Sequence, residues 1–306
     1  MARRFWVLAL AAAVVLAWSL QASASGVFIV SRKGVDVYHD ATAGFMQMAY
    51  SLQIPGFNAK TVELDGTGGD DATLAGLKGQ SPSLVFAVGA YAAKKVRQAM
   101  PDVWIVYGMV YYPEAEGFTG DPKMVGVASL GPTKSLAASL KSLVKGKSIV
   151  ILHSRAIEAA IPPLVDRLNG EGLDAQSKPV ADAAGLQAAF DAVKDQYRAI
   201  LLLPDPITSN PDALRFLVSQ CVNAGIAPVS LSESLVSGGV LLASFYPPDS
   251  VGNRAARAAA DILSTGKAPD ERVVAPTDSA TAVNQGTAQA LRIKFPKNFR
   301  PEVSYE

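Results

Sequence analysis

The sequence predicts an α/β fold in which two lobes, each a doubly wound parallel sheet, are joined by a hinge that the chain crosses several times. Short apolar runs alternate regularly with segments of helical periodicity, a pattern typical of parallel sheets with helical crossovers. Several short runs, such as 84–88 and 199–203, are apolar at nearly every position, as strands covered on both faces must be. A glycine-containing break at 237–239 precedes a long helical segment, which indicates a return to the first lobe.

The strands are predicted from short apolar, β-branched runs, and the helices from apolar residues at steps of three and four. Leu214, Leu217 and Val218, for example, mark the buried face of one helix. The predicted strands are, in order, 27–30, 61–64, 84–88, 104–107, 125–127, 148–152, 175–180, 199–203, 228–231 and 241–244. The predicted helices are 41–52, 90–100, 132–144, 157–169, 183–196, 211–224 and 250–265.

These strands fit two sheets of similar size or, as the alternative, one large sheet. The segment 125–135 favours two sheets, because it follows no strong helix and its glycines and proline suit a linker. We therefore expect a first lobe made of residues 25–128 plus about 246–272. The second lobe is expected to contain 129–245 plus about 273–306, including a C-terminal tail.

Residues 1–24 have the pattern of a secretory signal peptide. Arg3 and Arg4 precede the uncharged apolar run 5–20, and Ala22-Ser23-Ala24 supplies the small residues that signal peptidase accepts. An uncleaved membrane anchor is the alternative, since the apolar run is only slightly short of a membrane span. No cysteine follows the cleavage site, so in a Gram-negative cell the mature chain is expected to be a soluble, non-lipidated protein of the periplasm.

Composition and motifs argue against several classes of function. With 28 basic and 27 acidic residues the net charge is +1, so no nucleic-acid partner is expected. A single cysteine excludes a cysteine-based metal cluster, and we expect no cofactor. The alternative is a metal ion held by His39 and His153 with a strand-end carboxylate. The chain has neither a Gly-x-Ser-x-Gly elbow nor a Walker loop, and we expect no enzyme activity.

Candidate ligand-binding residues follow the strands, because ligands of open α/β sheets bind at the carboxyl ends of strands. In the first lobe Gly89, Ala90 and Tyr91 open a helix whose free amides suit a carboxylate. Tyr111 and Tyr112 follow the next strand and are able to stack on a flat apolar ligand. An ordinary tight turn and a pair of interface or core aromatics are the respective alternatives.

The second lobe offers polar residues at the corresponding places. Asp205 follows an apolar strand and is positioned to accept a hydrogen bond from a ligand. Ser154 and Arg155 follow another strand, and Glu233 follows a third. A turn or a helix cap is the alternative for each, since Ser and Asp are common at such positions. With the first-lobe residues, they form the predicted site between the lobes.

Five stretches of the chain also carry a family pattern in a fixed order. They are 84–110 with Gly89, Ala92 and Ala93; 123–127; 201–205; the late helix and Gly-Lys-x-Pro turn at 252–269; and the tail from Val283 and Asn284 to Pro296. Together they resemble the ABC transporter substrate-binding proteins of the type I periplasmic-binding fold. The group that they resemble has known members that bind aromatic amino acids, and the resemblance covers nearly the whole chain after the signal peptide.

The sequence departs from that group at the site. Ala90-Tyr91 replaces Thr-Pro, Tyr111-Tyr112 replaces Thr-Asp, and only Asp205 remains of a Thr-Asp-Asn segment. A larger, flatter or more apolar ligand than an α-amino acid is therefore expected.

The resemblance implies a monomeric solute-binding protein that closes like a Venus flytrap around a small aromatic or apolar ligand. It would deliver this ligand to an ABC transporter permease in the inner membrane. The alternative is a sensory or scaffold protein that presents the ligand to a receptor or an envelope complex.

Overall fold

The computed structural model describes residues 26–144 and 146–306. The predicted signal peptide, residues 1–24, lies outside these ranges. Within them the predicted fold class is confirmed, because two mainly parallel sheets are interleaved with helices. No helix in the described ranges is long and apolar enough to cross a lipid bilayer.

The first sheet is entirely parallel. It contains β1 (Val27–Arg32), β2 (Phe57–Leu64), β3 (Leu84–Val88), β4 (Trp104–Val110), β5 (Met124–Ala128) and β11 (Val273–Val274). Its spatial order is β11-β5-β4-β3-β1-β2. Every residue of β3 is buried, because helices cover both faces of the sheet, and this explains the continuous apolar run.

The second sheet is parallel except for one pairing. It contains β6 (Ser148–Ser154), β7 (Asp174–Val180), β8 (Ala199–Leu202), β9 (Ala227–Ser230), β10 (Leu242–Phe245), β12 (Ala280–Asn284) and β13 (Val303–Tyr305). The order is β13-β12-β10-β9-β8-β6-β7, and β10 pairs with β12 in the antiparallel direction. The parallel pairing of β12 with β13 fixes the C-terminal tail to this sheet.

The helices connect the strands and cover the sheets. They are α1 (Val37–Ser51), α2 (Asp70–Lys78), α3 (Ala90–Ala99), α4 (Thr133–Leu143), α5 (Ile161–Gly170), α6 (Leu186–Asp191), α7 (Pro211–Ala224), α8 (Pro248–Thr265) and α9 (Gln285–Ala290). Hereafter, each sheet together with the helices that pack on it is called the first or the second lobe.

The chain passes between the sheets at more than one place. It leaves the first sheet after β5, returns to it after β10, and leaves again after β11. Strand β11 pairs with β5 through Val273 and Val274. The last crossing therefore follows residue 274, slightly later than the boundary near 272 that the sequence indicated.

Helix α8 brings the chain back to the first lobe and packs closely on α1. The two helices approach each other at Gly252, where an added Cβ would overlap the backbone carbonyl oxygen of Ala41. Phe45 of α1 stacks on Phe86 of β3 with ring centroids 4.5 Å apart, and Val251 of α8 joins the same apolar core. This core is therefore completed by a helix that lies late in the sequence.

The predicted helix 157–169 is divided into two pieces. Residues Arg155–Ala160 form a 3₁₀-helix, and α5 begins at Ile161. Pro162 and Pro163 follow, and proline is tolerated in the first turn of an α-helix because the N–H groups there have no intrahelical partner. The two prolines therefore place the start of the α-helix at this point.

Candidate ligand-binding site

The carboxyl ends of the two sheets meet at the end of β4. The hydroxyl of Tyr111 in the first lobe lies 3.4 Å from the hydroxyl of Ser232, which follows β9 in the second lobe. The hydroxyl of Tyr112 donates a 2.7 Å hydrogen bond to the carbonyl oxygen of Pro204, which follows β8. The structure therefore brings the two predicted tyrosines to the boundary between the lobes, where their strand ends face each other.

Tyr112 serves mainly to join the lobes. Its ring packs against an apolar core of the second lobe that includes Leu231 and Leu241, although Tyr112 itself follows a first-lobe strand. Burial raises the pKa of its hydroxyl well above the ordinary value for tyrosine, and the nearby Asp205 carboxylate adds to the rise. Tyr112 thus donates its proton to a backbone carbonyl and stays neutral.

Tyr111 lies beside Tyr112, with the ring centroids 6.3 Å apart and the planes inclined by 53°. It is half-buried, and its hydroxyl reaches the Ser232 hydroxyl, which also lies 3.0 Å from that of Ser234. Adjacent residues at a strand end point in different directions, and here only the Tyr112 ring is packed into the second-lobe core. The other ring, that of Tyr111, is the one left able to contact a ligand.

Gly89 ends β3 and precedes α3 in a conformation that favours glycine, with φ at 89°. The Tyr38 hydroxyl lies against it, and a Cβ at position 89 would overlap that hydroxyl. Helix α3, which begins at Ala90, has no side-chain cap. The predicted amide site is therefore present as a helix start, with Tyr38 lying over its first turn.

The Tyr91 side chain is fixed by a hydrogen bond to a buried carboxylate. Its hydroxyl donates a 2.7 Å hydrogen bond to Asp70, which is 2 % exposed and also accepts from the backbone amides of Asp65 and Gly66. The hydrogen bond from Tyr91 is the largest cause of a lowered pKa at Asp70. The Tyr91 ring supports the guanidinium of Arg32, whose central carbon lies 5.3 Å from the ring centroid.

Asp205 is already bonded to the protein. It is 5 % exposed, and its two carboxylate oxygens accept from the backbone amides of Ser154, at 2.6 Å, and Ile207, at 2.5 Å. Its charge therefore ties the end of β8 to the end of β6. A ligand contact at Asp205 stays a prediction, and the structure adds a role in holding these two strand ends together.

The other predicted residues of the second lobe differ in accessibility. The Ser154 hydroxyl is buried and has no hydrogen-bond partner among the described residues. Arg155 is exposed directly after β6. Glu233 accepts a 2.8 Å hydrogen bond from the Tyr305 hydroxyl of the C-terminal strand. Of this set, Arg155 is the side chain that is both charged and open to solvent.

The two histidines lie in different surroundings. His153 is 2 % exposed, and its Nδ1 lies 2.9 Å from the carbonyl oxygen of Ser154. His39 is exposed at the start of α1. Across residues 26–144 and 146–306, no group of three His, Cys, Asp or Glu side chains is arranged to hold a metal ion.

A cavity of about 390 Å³ opens between the lobes beside the crossing segments. This volume lies in the range of small-ligand sites. Its walls include Tyr111, Tyr112, Leu130, Arg167 and Tyr246. Of the nine predicted site residues, Tyr111 and Tyr112 thus line this cavity, and the other seven lie at or near the ends of other strands.

Sequence reasoning missed Arg32 and Tyr38. Arg32 ends β1 and Tyr38 follows it, and the rule that located the residues after β3 and β4 applies equally to this strand end. Burial raises the pKa of Tyr38, with Tyr111 adding to the rise and Arg32 opposing it, so the charges of these side chains influence one another. The apolar run 27–30, followed by Ser31 and Arg32, was the signal available in the sequence.

This arrangement of two lobes is the type I periplasmic-binding fold. No protein-family model and no curated protein matches the chain. Among solved structures it is similar to the ligand-free, open form of a substrate-binding protein with adhesive properties from Clostridium difficile. That pair shares 14 % identity over 92 % of this chain and 100 % of the other, with a TM-score of 0.74.

Two further structures share the fold. One is an ABC domain from Streptococcus pneumonia in complex with L-Trp, at 15 % identity over 92 % of this chain and 99 % of the other, with a TM-score of 0.61. The other is a periplasmic ribose ABC transporter protein from Conexibacter woesei, at 16 % identity over 88 % of this chain and 94 % of the other, with a TM-score of 0.53.

Proposed function

We propose that this protein is a solute-binding protein that captures a small aromatic or apolar ligand between its lobes. The observation that carries the proposal is the contact between Tyr111 and Ser232, because it brings strand ends of both lobes together beside a cavity of ligand size. Ligands of α/β sheets bind at such strand ends. The similar structures support this reading, since one is an open, ligand-free substrate-binding protein and another holds L-Trp.

Movement of the lobes would accompany binding. The three connecting segments after β5, β10 and β11 would act as the hinge. A ligand that contacts both lobes favours the closed form. We place the first lobe at residues 26–128 with about 246–274, and the second at 129–245 with about 275–306. The mature protein is proposed to act as a monomer in the periplasm, outside the inner membrane.

A binding role without catalysis agrees with the chemistry of the buried groups. Burial raises the pKa of the Cys221 thiol to about 12, so it is not a thiolate at neutral pH. His153 is buried against a backbone carbonyl, and Asp205 is bonded to two backbone amides. The Cys221 thiol is therefore not an activated nucleophile, His153 is buried away from solvent, and the Asp205 carboxylate is engaged by the backbone.

An ABC transporter permease of the inner membrane is the proposed receiver of the ligand. Native mass spectrometry of the protein purified from its own periplasm is expected to show a bound small molecule. Small-angle scattering is then expected to show compaction when this molecule is added back to the stripped protein. A protein that carries no ligand and keeps the same dimensions with periplasmic extract would contradict the proposal.

Transport and sensing are separated by uptake of the identified molecule. Cells that lack this protein are expected to lose high-affinity uptake of the molecule. Cells that produce a Tyr111→Ala variant are expected to take the molecule up poorly. Unchanged uptake in the deletion strain would instead support the sensory or scaffold role.

A further inference from the structure

Arg32 is an exposed, positioned cation at the carboxyl end of β1. Its guanidinium lies over the Tyr91 ring, and a Cβ placed at Gly66 would be 3.2 Å from one of its nitrogens. Tyr91 is in turn fixed by its hydrogen bond to the buried Asp70. Within the described residues no carboxylate pairs with Arg32. The donors of this guanidinium are therefore oriented and remain free.

The second lobe carries an arginine at the corresponding place. The sheet orders β2-β1-β3-β4-β5 and β7-β6-β8-β9-β10 match strand for strand, so β1 corresponds to β6 and β4 to β9. The contact of Tyr111 with Ser232 joins the ends of β4 and β9, which are matched strands. Arg32 ends β1 and Arg155 directly follows β6, so closure brings these two cations towards each other.

The carboxylates at the facing strand ends are already engaged. Asp205 accepts from two backbone amides, and Glu233 accepts from the Tyr305 hydroxyl. Arg32 and Arg155 are exposed. Of these four charged side chains, Arg32 and Arg155 are therefore the two that are exposed and not engaged by hydrogen bonds within the described residues.

We infer that the ligand is an aromatic carboxylate whose anionic group is bound by Arg32 and, on closure, by Arg155; this inference rests on the proposed binding function. An arginine fork matches a carboxylate with two parallel hydrogen bonds. Tyr38 lies against Gly89 at the end of β3, Tyr111 follows β4, and β3 lies between β1 and β4, so the rings of these two tyrosines supply the face for the aromatic part. Without the anion, the two like charges oppose closure, so the ligand's charge itself couples binding to movement of the lobes.

Phenylacetate, the isosteric neutral phenylacetamide and the cationic 2-phenylethylamine form a matched set of probes for the full mature chain. Calorimetric titration at low salt is expected to show binding of phenylacetate at least tenfold tighter than that of the other two. Arg32→Gln is expected to weaken phenylacetate binding by about 10- to 100-fold, as the loss of charge-assisted hydrogen bonds implies. Arg32→Lys, which keeps the charge but loses the fork, is expected to lie between the two.

Lys60→Gln is the matched control, since it removes the same charge from an exposed position within the edge strand β2. This variant is expected to bind phenylacetate like the parent, and Arg155→Gln is expected to bind it more weakly. The inference is overturned if phenylacetate does not bind, if phenylacetamide binds as tightly, or if Arg32→Gln binds phenylacetate like the parent.

The failure of this inference is distinct from failure of the binding function. A neutral molecule found by native mass spectrometry, or compaction with a neutral probe, would overturn the carboxylate while the solute-binding function stands. If neither a co-purified molecule nor any probe binds, both are overturned.

Discussion

The Tyr112 hydroxyl, at the end of a first-lobe strand, donates a 2.7 Å hydrogen bond to the carbonyl oxygen of Pro204 in the second lobe. The hydroxyl of its neighbour Tyr111 lies 3.4 Å from the second-lobe Ser232 hydroxyl. Two adjacent tyrosines thus have different tasks: one packs the lobes together and the other faces the cleft. Their substitution is expected to separate stability from binding.

Tyr112→Phe is expected to lower the free energy of unfolding by about 1 kcal/mol, because one intramolecular hydrogen bond is lost. Tyr112→Ala is expected to cost about 2–4 kcal/mol, since the ring also leaves the second-lobe core. Urea unfolding of both variants measures the two effects. Equal stability of Tyr112→Ala and the parent would contradict the packing role.

Tyr111→Ala is expected to weaken ligand binding by about 10- to 100-fold, since the loss of an aromatic contact is worth about 1–3 kcal/mol. The melting temperature of the free protein should stay close to that of the parent. Tyr50→Ala, which removes an aromatic ring that is 62 % exposed on α1, serves as the control and is expected to bind normally. Calorimetric titration with the co-purified molecule compares them, and parental affinity of the Tyr111 variant would remove this residue from the site.

Asp205→Asn is expected to destabilise the protein by about 1–3 kcal/mol, even without ligand. Each carboxylate oxygen accepts from a backbone amide, so the asparagine NH₂ group must face one of these N–H donors. Asp212→Asn, at an exposed position in α7, is expected to change stability by less than about 0.5 kcal/mol. Thermal unfolding decides the matter, and equal melting temperatures of the two variants would argue against a structural role for Asp205.

Gly89→Ala is expected to be more destabilising than Gly117→Ala. Both glycines have positive φ, at 89° and 74°. Gly89 also has ψ at 157°, a combination found essentially only for glycine, and an added Cβ there would meet the Tyr38 hydroxyl, whereas it finds open space at position 117. Urea unfolding of the two variants measures the difference, and equal destabilisation would contradict the expectation.

Tyr91→Phe is expected to reduce stability at neutral pH but not in acid. The Tyr91 hydrogen bond lowers the pKa of folded Asp70, so its stabilising effect is complete above the unfolded carboxyl pKa of about 4 and is lost as the pH falls through the lowered pKa. Unfolding free energies of parent and variant should therefore converge below about pH 4. NMR titration of the Asp70 carboxyl should show a higher pKa in the variant, and an unchanged pKa would contradict the proposed cause.

The sequence was sufficient to predict the central strands of both sheets, but not the strands at one edge of each sheet. Buried strands such as β3 and β8 are apolar throughout, so composition alone locates them. Strands β11, β12 and β13 were not predicted, and β11 and β13 contain only two and three residues, too few for any periodicity to be read. Helix α2 was missed because it is short and follows a glycine-rich turn, and these features resemble those of a loop.

Prediction of the site was limited by contacts between distant residues. The strand-end rule drew attention to Tyr111, Tyr112 and Asp205, but it does not reveal which of these side chains are already packed or hydrogen-bonded within the protein. That Asp205 binds the amide of Ser154, 51 residues away, depends on the packing of β6 beside β8. The support of Arg32 by Tyr91 likewise requires β1 and α3 to be adjacent.

The packing of α8 on α1 has a consequence for the order of events during synthesis. Ala41 and Gly252 touch although they lie 211 residues apart, and α8 supplies buried residues to the first-lobe core. During synthesis, the first-lobe core therefore stays incomplete until α8 has left the ribosome, when almost the entire polypeptide has been made. The first lobe is therefore expected to fold late, after most of the chain has been made, although it contains the N-terminal strands.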